Sequence, residues 1–471
     1  MPPLKQVKLL LTPLVLVSVI ALLASGCNGG SMSPTSNPTS NQSTGSSFVI
    51  GTDQPMASVA SFTVQIESVE LSDGNGHTAS LVSGTPTVDF ARYNGLQTLL
   101  DMNDVPVGTY TSVTITLGTA TLGYLNTSAT PPMITTETAT LTSTTVNAAL
   151  NTPLIVTQGG APAGLRLDFD LHKSIEVDSN GNITGTVDPT FDVSVVGISD
   201  AGAYVDEFFA AVVTPPSGTS EPQSFTIQGP HGRQFTVSTN SQTEWDGDAS
   251  LSALTTSSIV VVSGELDKLD ATIDADEVGI VSQDGFYAAG LVTYVTPPTG
   301  LANSFDLYVR GTLPSTTGVD PGQIAQVNLS GNEKYSIYWM HNPLTQFLFS
   351  QSGLLAGQHV AVGGPASGAA NGNAVTVKRV MLRHWGYNGT VVAGSENASN
   401  GTFQMTVNGF AGQLIPETVT VFVGGHCGFR SGFSEFSDIS DGDKVRVVGL
   451  LLKAPTTGQA VLLARYLDDM D

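Results

Sequence analysis

Gly357-Gln358-His359-Val360-Ala361-Val362-Gly363-Gly364 sets alternating valines between bounding glycines, and the spacing returns at Gly442-Asp443-Lys444-Val445-Arg446-Val447-Val448-Gly449. A looser copy, Ser257-Ser258-Ile259-Val260-Val261-Val262-Ser263-Gly264, has serine in the first place. Apolar residues at every second position predict a strand, and flanking glycines let the backbone bend or bulge where a sheet curls on itself. Upstream, Val213-Thr214-Pro215-Pro216 leading to Ser224-Phe225-Thr226-Ile227 matches Val295-Thr296-Pro297-Pro298 leading to Ser304-Phe305-Asp306-Leu307. A third copy runs from Thr390-Val391-Val392 to Thr402-Phe403-Gln404-Met405. The closing glycines Gly264, Gly364 and Gly449 place three modules 100 and 85 residues apart, the mark of a repeated supersecondary unit. A small barrel is the expected form of each, because closure removes the strand edges that lone sheets would expose.

Residues 48–198, ahead of the repeats, alternate in the same way. Phe62-Thr63-Val64-Gln65-Ile66 continues through Val69 and Leu71 to the turn Asp73-Gly74-Asn75-Gly76, a hairpin signature. Val113–Leu117, Leu165–Leu171 and Phe191–Val195 repeat the period of two, and Asp178-Ser179-Asn180-Gly181 supplies another turn. Leu96, Leu99 and Leu100 share a helical face, so one short helix is expected over Leu96 to Met102. The segment is expected to be an antiparallel β-sandwich of about seven or eight strands. The fold class is therefore all-β: an N-terminal immunoglobulin- or transthyretin-like sandwich (48–198), then barrel-like modules over 205–285, 286–385 and 386–471.

Composition narrows function further. Only 12% of the 471 residues are charged, and Gly (51) and Pro (25) are abundant, which favours short strands and many turns over long amphipathic helices. Acidic residues outnumber basic ones 40 to 17, for a net charge of -23. A polyphosphate partner needs clustered Lys and Arg, and here basic residues are scattered singly, so nucleic acid is excluded as an expected partner.

Lys5 and Lys8 precede an apolar stretch, Leu9 to Leu23, that is interrupted by Pro13 and short for a spanning helix. Leu23-Ala24-Ser25-Gly26-Cys27 then resembles the bacterial lipoprotein signal, or lipobox. That resemblance implies a signal peptide over 1–26, removed in the mature protein, and lipid attachment at Cys27. Acyl chains supply about 0.8 kcal/mol per buried methylene, so two or three anchor a soluble domain to a membrane. Asn28 rather than Asp after the cysteine points, within that family, to the outer membrane. Residues 27–47 are rich in Ser, Thr, Asn, Gly and Pro without charge and are expected to form a disordered tether reaching roughly 25 Å. With Cys27 lipidated, Cys427 has no partner for an intramolecular disulfide.

The ordered motifs Phe62-x-Val64-x-Ile66-x-Ser68-Val69-x-Leu71, Val105-Pro106-x-Gly108-x-Tyr110-x-x-Val113 and Leu165-x-Leu167-x-Phe169-x-Leu171 resemble a bacterial lipoprotein family known only as domain of unknown function DUF4382. The repeats look like a second such family, DUF5666, which implies small oligonucleotide/oligosaccharide-binding-like (OB-like) barrels. The DUF4382 resemblance brings no established activity or catalytic residues.

Chemistry is sparse. Seven histidines, at 77, 172, 231, 341, 359, 384 and 426, form no close ligand pair, so no metal site and no cofactor is expected. His426-Cys427 would point oppositely on a strand, and Gly424–Gly428 lacks the lysine and helix of a phosphate loop, so it is expected as a plain loop. Asp168 and Asp170 have a spacing suited to glycoside hydrolysis, but are expected to be an outward polar face opposite Leu167, Phe169 and Leu171. Asp178, Asn180 and Asn182 are expected to build a hairpin turn rather than a calcium loop. Tyr335 and Trp339 share one strand face, with Tyr338 on the other, and are candidate ligand-binding aromatics, with sugar the ligand an acidic protein would favour. The expected protein is a lipid-anchored, non-enzymatic envelope protein, periplasmic or surface-exposed, that binds or scaffolds. Its possible partners are an envelope protein or polysaccharide. A carbohydrate-binding or adhesion module is the alternative, and an unrecognised hydrolase the more remote one.

Overall fold

The computed structural model describes residues 43–54, 59–93, 96–126, 133–197, 204–229, 232–246, 248–266, 272–283, 285–313, 319–338, 348–365, 374–408, 414–415, 418–455 and 457–470. The segments read as signal peptide and lipobox, including Cys27, lie outside them. The chain is all-β and built of several modules.

Alternation in the head segment packs two sheets face to face. One has the order Phe191–Gly197, Ala163–Asp170, Thr44–Gln54, Gln97–Pro106. The other is built on the long pair Val59–Ser72 and Gly108–Asn126. Phe62, Val64, Ile66, Val69 and Leu71 from one sheet meet Leu165, Leu167 and Phe169 from the other, all fully buried. Phe169 lies 4.8 Å from both Phe62 and Phe191. Asp73 and Asp178 close their hairpins as expected: each carboxylate accepts the backbone N–H groups two and four residues on, at 2.7–3.1 Å.

Three expectations for the head change. Short pieces raise the number of strands between Thr44 and Gly197 to thirteen among the described residues. The first starts at Thr44, inside the segment 27–47 expected to be a disordered tether: Thr44 and Gly45 pair with Pro106 and Val105, and Ser47 Oγ donates to Ala163 O at 2.6 Å. Backbone pairing orders a stretch whose side chains carry no apolar signal. The helix expected over Leu96 to Met102 is instead the strand Gln97–Pro106. Leu99 packs toward the first barrel and Leu100 into the head core. Neighbours on a strand face opposite ways, so burial of both faces produces an apolar doublet that mimics a helical stripe.

The repeats are barrel-like modules sharing one five-strand order: the first closes through its third and fifth strands and adds a sixth, Glu244–Asp246, the middle is a seven-stranded sheet that includes Lys334–Ile337, and the last is a closed five-stranded barrel. In the first, Val205–Thr214, Gln223–Gln228, Gln234–Thr239, Ile259–Leu266 and Ile273–Ser282 pair in the order first, second, third, fifth, fourth, first. The third and fifth strands close the ring in parallel, Val237 opposite Ile273. The last barrel repeats this with Trp385–Val391, Thr402–Val407, Val419–Arg430, Lys444–Lys453 and Ala460–Asp469, Val421 opposite Leu462. It starts at Trp385, one residue before the expected boundary. In the middle barrel (Phe286–Thr296, Ser304–Leu313, Ile324–Asn328, His359–Gly364) the fifth strand is broken. Ala374–Thr376 pairs with the third strand and Arg379–Leu382 with the fourth.

The glycine-bounded motif is the fourth strand of every barrel. At Gly264 and Gly449 the pairing bulges, and an added Cβ would sit 2.1 Å from a carbonyl oxygen of the fifth strand, Asp274 and Leu463 respectively. The leading glycines Gly357 and Gly442 have φ of +92° and +85°, a conformation that disfavours a side chain. A single 3-10 turn, at Leu251–Ala253, Gln351–Gly353 or Phe436–Asp438, precedes each fourth strand at the same spacing. Gly424–Gly428 is not a loop but a bulge inside Val419–Arg430, where the register shifts between Val423 and Gly428.

The modules share cores. Phe48, Ile50, Leu99 and Met102 of the head join the interior side chains of the first barrel. Leu450, Leu452, Val461 and Leu463 of the third join the second. Gly363 of the second barrel brings its backbone so close to the first that a Cβ would be 2.1 Å from Val281 O.

Candidate functional site

A β-bulge in the first strand of the first barrel builds the centre of the molecule. Pairing with the fourth strand slips between Val205 and Phe208, and Glu207 adopts φ +46°, a left-handed conformation that costs about 1–3 kcal/mol outside glycine. The bulge aims two neighbouring carboxylates out of the barrel into the other modules. Glu207 accepts from the Arg383 guanidinium and from His384 N at 3.1 Å, both in the segment leaving the second barrel. Asp206 accepts from Gln97 N of the head at 3.2 Å and faces Arg465 of the third barrel at 3.6 Å. The Glu207 carbonyl accepts from Arg92 of the head at 3.5 Å. A third ion pair, Arg310 Nε to Asp89 Oδ2 at 3.1 Å, ties the second barrel to the head. Arg310, Arg383 and Glu207 side chains are each 1% exposed.

Burial and charge set protonation here. Burial raises the Glu207 carboxyl, but Arg383 and His384 outweigh it and hold the group well below the usual carboxylate range. Asp206, with a more distant cation, is pushed up by burial to about 6. His384 is depressed by burial to about 4, and His359, whose Nδ1 lies 3.3 Å from His384 O, is depressed well below its ordinary value by burial and by Arg383. Phe209 anchors the group: the Arg383 guanidinium lies 4.1 Å and that of Arg92 4.9 Å from its ring centre, and the ring stacks on Tyr287 at 4.7 Å.

Beside this junction a cavity of about 450 Å³ opens between the head and the first two barrels. The 3-10 turn Phe90–Tyr93 positions one wall: Phe90 is held in the head core against Phe169, which leaves Arg92 facing the cavity. Arg310 forms the other. On Ser304–Leu313, Phe305, Leu307 and Val309 fill the barrel and Arg310 alternates outward. Leu100, Phe208 and Phe235 supply apolar surface.

The residues singled out from sequence lie elsewhere. Tyr335 is half-buried on Lys334–Ile337 and meets Phe349 edge-on at 5.7 Å, with its hydroxyl raised by burial. Trp339 lies outside the described residues. Tyr338 is buried and donates to Ser263 Oγ at 2.7 Å, bridging the first two barrels. Cys427 is half-buried and its thiol is pushed up to about 12 by burial, a poor nucleophile. Asp168 and Asp170 lie behind the core side chains as expected but are buried rather than solvated. Asp170 caps a short helical turn through Lys173 N at 3.0 Å and pairs with Lys173 Nζ at 2.6 Å, and Asp168 meets Arg166 at 3.3 Å.

Sequence reasoning missed the junction because its members are scattered over about 370 positions. Their shared signal was charge embedded in apolar strand: Asp206-Glu207 before Phe208-Phe209, Arg310 after Tyr308-Val309, Arg383-His384 between Met381-Leu382 and Trp385.

No curated protein matches the chain. A solved structure titled "drosophila Unr CSD456" aligns over 56% of this chain and 97% of its own at 8% identity, with a TM-score of 0.14, too low to carry an argument. Over residues 45–184 the head matches the family described as Domain of unknown function (DUF4382), the family its ordered strand motifs resemble.

Proposed function

We propose that this is a lipid-anchored protein of the bacterial cell envelope with a non-enzymatic binding role, held at the outer membrane through Cys27 and carrying three DUF5666-like barrels behind its head. The observation that carries the binding role is the junction. Its buried acids are engaged with buried arginines of other modules, Glu207 with Arg383 and Asp89 with Arg310, an arrangement that fixes a shaped cavity instead of freeing an acid and a base for proton transfer. Its histidines are held neutral by burial.

The test combines anchoring and contact. Cys27→Ser is expected to move the protein from the membrane fraction to the soluble envelope fraction, and crosslinking of the anchored protein in intact cells to recover a partner or glycan in fixed proportion. Unchanged membrane fractionation would overturn the anchor. Crosslinking that recovers nothing reproducible would overturn the binding role.

A further inference from the structure

Arg310 lines the junction cavity with its side chain 1% exposed, and its two terminal nitrogens have no hydrogen-bond partner among the described residues. Its Nε donates to Asp89, and the guanidinium lies 5.6 Å from the centre of the Trp385 ring. A buried guanidinium with two unmet donors is costly unless something fills that edge, and the terminal edge of the fork has the geometry of a planar carboxylate. Arg92, across the cavity, likewise has an unpartnered Nε.

The remaining charged lining is accounted for. Asp89 accepts Phe62 N at 2.9 Å as well as Arg310, and Glu207 turns to Arg383 and His384. Arg233 is held by Asp101 at 3.2 Å and by Met102 O. Asp320 lies exposed on the lining. Unused donors on two arginines and walls of Leu100, Phe208 and Phe235 together describe a planar negative group on an apolar body. A volume of about 450 Å³ lies within the range of small-molecule sites.

We propose that the junction cavity binds a small organic carboxylate, its carboxylate bidentate on the terminal nitrogens of Arg310 and within reach of Arg92, and its aromatic or aliphatic body against Phe208, Phe235 and Leu100. This deepens the binding role proposed above and rests on it.

Calorimetric titration of the full mature chain with benzoate, octanoate, neutral benzamide and inorganic phosphate tests it. Benzoate or octanoate is expected to bind saturably at one site, with benzamide and phosphate weaker by about tenfold or more. Arg310→Lys, which keeps the charge and loses the fork, is expected to weaken carboxylate binding by about tenfold. A second variant leaves every ion pair intact. An added Cβ on Gly311 lies 3.4 Å from both Arg92 Nη1 and Tyr287 OH, so Gly311→Leu is expected to fill the cavity and abolish binding while the protein still unfolds cooperatively. No saturable carboxylate binding, binding indifferent to both variants, or phosphate binding more tightly than either carboxylate would each overturn the proposal. Failure here with a partner still recovered by crosslinking in cells removes the carboxylate site alone, whereas failure of both removes the binding role.

Discussion

Glu207 ties the first barrel to the segment leaving the second through a single buried carboxylate. It is a left-handed non-glycine residue retained where its carboxylate joins two barrels, so the strain of the bulge is offset by charge-assisted bonds. Glu207→Gln leaves Arg383 without a counter-charge and is expected to destabilise the protein by about 3–5 kcal/mol, read as a fall in the urea midpoint. Protonation gives the junction a pH signature. His384 takes a proton near pH 6.5 when unfolded but only near 4 when folded, so the unfolded chain binds more protons between those values and stability falls as pH drops through them. Asp206 has the opposite sign: its folded value near 6 against 3.8 makes the folded chain the better proton binder, so acidification from 6 to 4 adds roughly 2–3 kcal/mol. Asp206→Asn is therefore expected to steepen the loss of stability on acidification, measured by urea unfolding between pH 7 and 4.5. An unchanged slope would show that Asp206 does not titrate in this window. The sequence marks these charges as embedded in apolar strands but not who pairs with whom, because partners such as Glu207 and Arg383 are 176 residues apart and periodicity reports only neighbours.

Strands were read more reliably than charges, since a barrel's inside and outside are written directly into a period of two. The glycine-bounded motif identified the fourth strand of all three barrels. Its closing glycines are required by close approach: at Gly449 a Cβ would lie 2.1 Å from Leu463 O, whereas at Gly425 nothing lies within 4 Å. Gly449→Ala is expected to lower stability by about 1–3 kcal/mol through forced backbone displacement, with Gly425→Ala near neutral. Comparison of the two melting temperatures checks this. Elements were misread where tertiary context replaced local pattern. Leu99 and Leu100 mimic a helix face because the strand that carries them is covered by the head core on one side and the first barrel on the other. Gly424–Gly428 has the composition of a loop although it is a bulge, because both features favour glycine.

At the scale of the whole molecule, the sequence pointed to four modules in a row, and the structure joins them around one point. The second barrel alone would expose the faces that cover Phe209 and Val281 of the first and Leu450 and Leu463 of the third. A fragment spanning 286–385 is therefore expected to be poorly soluble, measured by its partition between pellet and supernatant after expression. Buried pairs at Glu207, Asp206 and Asp89 are expected to make head and barrels a single cooperative body. Scanning calorimetry of residues 43–471 should then give one transition whose calorimetric and van't Hoff enthalpies agree, shifted as a whole to lower temperature by Glu207→Gln. Separate transitions for head and barrels, with only one of them moved by that substitution, would contradict it.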